Sequence, residues 1–126
     1  MKGIDTNVLI RYLVADDANQ TSKAKSFIES NIIYVNCIVL IETIWVLESA
    51  YGQDKKAIIT VLERLLSTHE IEVENAEVAL AALQNYREST AGFTDCFIGC
   101  RNAVRGCDET GSLDKRAKNV VGFRLL

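Results

Sequence analysis

A chain of 126 residues, 48% hydrophobic and 25% charged, suits a single globular domain over residues 1–126 with a core of its own. No apolar run approaches the ~20 residues of a membrane helix, and Asp5 interrupts the start where a secretion signal would be apolar, so a cytoplasmic protein without membrane contact is expected. The net charge of −3 argues against a protein that binds nucleic acid by bulk electrostatics, although an acidic protein can still carry a local basic rim.

In chain order, Lys2–Asp5 reads as a short buried strand and Asn7–Leu13 as a short helix directly after it. Asp16 and Asp17 open an amphipathic helix with Ala24, Phe27 and Ile28 at helical spacing, the acids suiting its N-terminus. Ile32–Asn36 is β-branched and reads as a second strand. A strongly apolar helix follows from Val39 to Tyr51, where Gly52 stops it, and Asp54 caps a further helix over Lys55–Ser67. Ile71–Glu74 makes a third strand, Ala76–Tyr86 a helix, and Thr94–Arg105 another with Thr94 as its cap. A polar turn is expected at Asp108–Ser112, a helical turn at Lys115–Lys118 and a closing strand at Gly122–Leu126. Strands alternating with helices predict an α/β fold with a parallel sheet.

Ligand chemistry in such sheets gathers at the carboxyl ends of the strands, and Asp5 stands at one of them. A buried aspartate is costly unless it is paired, hydrogen-bonded or bound to a cation, and Thr6 and Asn7 bring no positive charge. Asp5 therefore either caps the helix that follows or meets a cation. Glu42 is the only charge in the apolar stretch from Cys37 to Val46, a costly position on a buried face. Asp95 falls in the first turn of its helix, where the dipole favours an anion. Asp114 precedes a short helix, a place where acids are common.

These residues together resemble the PIN-domain proteins, specifically the toxin subunits of VapBC-type toxin–antitoxin modules. "GIDTNVLIRYL" resembles the family's opening strand and helix, "LIETIWVL" its glutamate segment and "GFTDCFIG" that of its third acid. "SLDKRAKN" looks like a variant of its late threonine-x-aspartate motif, with Ser112 keeping the hydroxyl. The resemblance implies a central parallel sheet of four or five strands with helices on both faces. It also implies a divalent-metal-dependent endoribonuclease acting on RNA, inhibited by a VapB-type antitoxin, with a homodimer expected. Carried over position by position, the metal-holding and catalytic acids are Asp5, Glu42, Asp95 and Asp114, with Thr6, Asn7 and Ser112 as polar support.

The implied chemistry is physically coherent. Mg2+ or Mn2+ prefers oxygen ligands, lowers the pKa of a bound water and stabilises a leaving oxygen, so acids alone suffice. The only histidine, His69, lies outside every motif and is expected at the surface. Residues 87–126 carry 7 basic against 5 acidic side chains, reversing the acidic balance before them. Arg11, Lys115, Arg116 and Lys118 flank the acids and are candidates for RNA phosphates. Cys37, Cys96, Cys100 and Cys107 lack zinc-type spacing and histidine partners, and read as small buried hydrophobes with reduced thiols. Trp45, with Leu40, Ile44, Leu47 and Tyr51, is expected in the core, though some of that surface could face a partner.

Competing readings fit less well. A haloacid-dehalogenase-like phosphotransferase needs a second aspartate where Asn7 stands. A receiver domain needs its acceptor aspartate after a central strand, whereas Asp54 sits between helices. A PIN nuclease of RNA processing, or an inactive nucleic-acid-binding PIN scaffold, remains as the alternative.

Overall fold

A computed structural model describes residues 1–126 as two compact units, Met1–Glu74 and Asn75–Leu126. In the first, β1 (Lys2–Gly3) leads to α1 (Thr6–Leu13) and α2 (Ala18–Glu29). Next come β2 (Ile33–Val35), α3 (Cys37–Ser49), α4 (Lys55–Ser67) and β3 (Ile71–Val73). The three strands form a parallel sheet in the order β1-β2-β3. Parallel pairing requires a crossover between strands, and each is supplied here by two helices.

All four helices of this unit begin by the same device. Asp5, Asp17, Asn36 and Asp54 each accept a hydrogen bond from the backbone N–H three residues on. Each cap satisfies an N–H that would otherwise lack a partner, worth about 1 kcal/mol apiece. The predicted acidic pair therefore divides its labour: Asp17 caps α2, while Asp16 pairs with Arg11. The sheet shows the period of two that strands require. The register partners Ile33–Ile71 and Val35–Val73 are buried, and Glu72, which pairs with half-buried Tyr34 between them, is exposed.

The second unit contains α5 (Ala76–Glu88), α6 (Phe93–Arg105), β4 (Thr110–Ser112), a 3-10 turn at Lys115–Ala117 and β5 (Phe123–Leu125). Helices α5 and α6 pack through aromatic contacts. Tyr86 meets Phe93 edge to face at 6.0 Å, and Phe93 lies 6.0 Å from Phe97. Gly106 ends α6 at φ +107, a conformation that side chains disfavour. Phe123 of β5 lies so close to Gly99 that a side chain on Gly99 would displace its ring.

The α/β class expected from the sequence holds. Five short parallel strands are present, within the expected four or five, hydrogen-bonded as β1-β2-β3 and as β4-β5. Other expectations are corrected. The segment predicted as a turn at 108–112 contains β4, which pairs with β5 thirteen residues on. Gly111 at its centre is disfavoured in strands, and the pairing rests on a distant partner. Trp45 is 64% exposed and Phe27 41%, so neither belongs to the core. Glu42 and Asp5 are exposed too, and neither carries the full desolvation cost inferred from its apolar neighbours. The reason at Glu42 lies in α3, which is apolar on every side and gives no period to mark its wet face. Ile38, Glu42 and Trp45 share that exposed stripe. Of the four free cysteines only Cys96 is buried, while Cys37 and Cys100 are half-buried and Cys107 is exposed. His69 is at the surface, as expected.

Candidate active site

Because β1 and β2 are parallel neighbours, their carboxyl ends lie along the same edge of the sheet. The chain leaves β1 through Ile4 and Asp5 into α1, and leaves β2 through Asn36 into α3. Both helices thus start from one edge. That placement lets Thr6, the first residue of α1, reach Glu42 in the middle of α3. Its Oγ1 donates to Glu42 Oε1 at 2.6 Å. Residues 36 apart in the chain are joined, and the Glu42 carboxylate is held beside the residue that follows Asp5.

Asp5 has a local role as well. Its Oδ1 accepts from the Val8 N–H at 3.0 Å, leaving Oδ2 without a protein partner. Glu42 Oε2 is likewise uncommitted. Each of the two carboxylates so keeps one oxygen for an outside group. The donor set is hard oxygen throughout, which fits Mg2+ or Mn2+ and not a thiophilic metal. Within neither unit do three Asp, Glu, His or Cys side chains gather into a ready-made metal cage.

Beside Asp5 runs an open groove of about 760 Å³ between α1 and α2. Asp5, Asn7 and Arg11 line one wall, and Gln20, Lys23 and Phe27 the other. Arg11 is already engaged. Its Nη1 pairs with Asp16 at 2.9 Å and donates to Tyr51 Oη at 3.2 Å, and its Nε donates to Gln20 Oε1 at 2.6 Å. The groove's α2 wall was not legible in the sequence. Gln20, Lys23 and Phe27 follow helical spacing, but that spacing indicates only that one face of α2 shares an environment.

In the second unit, Asp95 lies in the first turn of α6, half-buried and without a hydrogen bond. Gly92, not Thr94, occupies the N-cap, and no side chain caps this helix. Asp95 thus meets the helix dipole while its carboxylate oxygens stay unclaimed. Asp114 is bound more tightly. It accepts from the Arg116 backbone at 2.9 Å, and the Arg116 guanidinium grips both its oxygens, with Nη2 at 2.8 Å from Oδ2. The side-chain hydrogen bonds from Arg116, aided by its backbone N–H, hold the Asp114 carboxyl below the usual range. Ser112 Oγ accepts from the Asp114 N–H at 3.0 Å, so the hydroxyl orients the turn that carries the acid. Lys115 and Lys118 are exposed, whereas Arg116 is committed to Asp114.

A profile of the PIN domain family matches residues 3–122. A VapC ribonuclease of Aquifex aeolicus (strain VF5) is 27% identical over 130 residues, covering 100% of this chain and 96% of that protein. Among solved structures, that of Mycobacterium tuberculosis VapC20, a sarcin-ricin loop cleaving toxin, gives a TM-score of 0.46 at 20% identity. That alignment covers 98% of this chain and 99% of the other.

Proposed function

The chain belongs to the PIN-domain family, matched from residue 3 to residue 122, and we propose that residues 1–126 form one PIN domain acting as a divalent-metal-dependent endoribonuclease. We assign it as the toxin of a type II toxin–antitoxin pair, cleaving RNA and restrained by a VapB-type antitoxin. The similarity to a VapC ribonuclease along the whole chain supports the activity class. The observation that carries the site is the Thr6–Glu42 hydrogen bond, which sets two carboxylates, each with a spare oxygen, at one edge of the parallel sheet.

Asp5, Glu42 and Asp95 would hold Mg2+ or Mn2+, with Asp114 as a fourth acid. A bound divalent ion would supply an acidified water and charge neutralisation at the phosphodiester. The chain's own residues do the rest. Thr6 fixes the rotamer of Glu42, Ser112 orients the Asp114 turn, and Asn7 lines the groove. Of the four basic residues that flank the acids, exposed Lys115 and Lys118 are the ones free to meet RNA phosphates, because the charges of Arg11 and Arg116 are already paired. No helix is long and apolar enough to cross a membrane. The reading includes a cytoplasmic location and a homodimer as the working form.

The test is cleavage of structured RNA by the purified protein with Mg2+ or Mn2+. Internal cuts that EDTA abolishes and that Asp5→Asn lacks are the expected result. Undiminished cutting in EDTA by a preparation whose Asp5→Asn control is silent would refute the metal reading. Absence of cutting with either ion, at concentrations where the protein binds RNA, would point to the scaffold alternative.

A further inference from the structure

The groove between α1 and α2 has two properties that the four acids do not explain. Phe27 lines it and is 41% exposed, although an aromatic ring gains by burial. Lys23, one turn before it on α2, lines the same wall and forms no ion pair, so an unpaired cation sits next to an open aromatic face. Between them in sequence, Ala24 is buried and also lines the groove. Gln20 adds direction. Its Oε1 is taken by Arg11 Nε, which turns its Nε2 into the uncommitted donor. Asn7, on the opposite wall, has a side-chain amide with no protein partner. At about 760 Å³ the groove is within the ~300–1,000 Å³ of sites for single small ligands.

We propose that this groove is a nucleotide subsite for single-stranded RNA, seating the nucleotide next to the scissile phosphate with its base against Phe27 and its phosphate at Lys23. The inference rests on the nuclease reading above and extends it to how substrate is held. An aromatic platform beside an unpaired cation is the combination by which proteins bind single strands, stacking for the base and charge for the backbone. Asp5 is itself one of the residues lining the groove, so an occupant that also reaches the reacting phosphate is the RNA strand itself. Gln20 and Asn7, which line the same groove, offer amide groups able to hydrogen-bond a base edge. With Arg11 paired to Asp16, Lys23 is the groove's available positive charge.

The test reads binding and cleavage separately. Affinity for a fluorescein-labelled single-stranded RNA of random sequence is measured by anisotropy in EDTA, so that no cutting occurs. Phe27→Leu, which keeps an apolar side chain, and Phe27→Ala are each expected to weaken binding about tenfold, and Phe27→Tyr to retain it, as the loss of one stacked base requires. Lys23→Gln is expected to weaken binding and to reduce the salt slope of log affinity by about 0.7, the loss of one phosphate contact on a single strand. With Mg2+ or Mn2+, the same variants should raise KM and leave kcat near the parent value. Parental affinity in Phe27→Leu, or an unchanged salt slope in Lys23→Gln, overturns the proposal and leaves the groove to another occupant such as a partner's peptide. Should the parent bind RNA through both residues yet cut nothing with metal, the nuclease reading falls while RNA in the groove stands. Metal-dependent cutting that Phe27→Leu performs with parental KM removes the subsite and keeps the nuclease.

Discussion

Thr6 Oγ1 donates to Glu42 Oε1 across 2.6 Å, tying the first residue of α1 to the middle of α3. A hydroxyl bonded to a carboxylate is a charge-assisted pair, stronger than a neutral one. Since Glu42 is exposed, the bond does little for stability and much for orientation. A long side chain free in water samples many rotamers, and this contact selects one.

Thr6→Val keeps the shape of the side chain and removes its donor. Its melting temperature should stay close to the parent's, the loss being under about 1 kcal/mol for an exposed bond. Cleavage should fall by roughly 10–100-fold, the usual cost of losing a group that orients a metal ligand, and Thr6→Ser should recover most of it. Parental activity in Thr6→Val would mean that Glu42 needs no such orientation.

Asp5 combines a helix cap with a candidate metal oxygen, and two substitutions separate the roles. Asparagine caps a helix as well as aspartate does, so Asp5→Asn should melt with the parent. Asp5→Ala should cost about 1 kcal/mol, the loss of the α1 cap. Neither should cleave RNA. Activity retained in the asparagine variant would leave Asp5 as a cap only.

Asp95 caps nothing and accepts no hydrogen bond, so its charge touches stability only through the α6 dipole. In EDTA, Asp95→Asn should stay within about 1 kcal/mol of the parent. Metal should raise the parent's melting temperature by binding the folded state, and raise the variant's less. Thermal melts with EDTA and with Mg2+ or Mn2+ check both statements. Equal shifts in the two proteins would place the ion away from Asp95.

Asp114 brings a pH dependence of definite sign. The Arg116 side-chain and backbone hydrogen bonds depress its carboxyl pKa in the folded protein. The resulting stability is present above the unfolded value of about 3.9 and is lost as pH falls through the folded value. Arg116→Gln removes the guanidinium, so the Asp114 carboxyl should titrate nearer its ordinary value, and stability below about pH 4 should fall off less steeply than in the parent. Carboxyl carbon NMR titration and denaturation across that window test it. The exposure of both partners means that high salt should narrow the difference.

Much of this protein is local, and local structure was legible. Each helix start predicted at an aspartate in the first unit is capped there, because an Asp side chain can satisfy a free N–H from information spanning four residues. The α/β class followed from alternating periods, and the four acids stood out by their positions relative to those elements and by the family motifs around them. Other features depend on residues far apart in the chain. The wet stripe of α3, with Glu42 and Trp45 on it, was hidden because a helix apolar on all sides carries no period. Strand β4 exists through pairing with β5, despite the glycine at its centre. Arg11 and Arg116 look like free cations in the sequence, yet Asp16 and Asp114 hold them. The groove formed by α1 and α2, and the Thr6–Glu42 bond, likewise required the elements to be set beside one another. Period and capping chemistry act within a few residues and so can be read from a sequence, whereas the exposure of a face and the partner of a charge are properties of packing, decided only when distant segments meet.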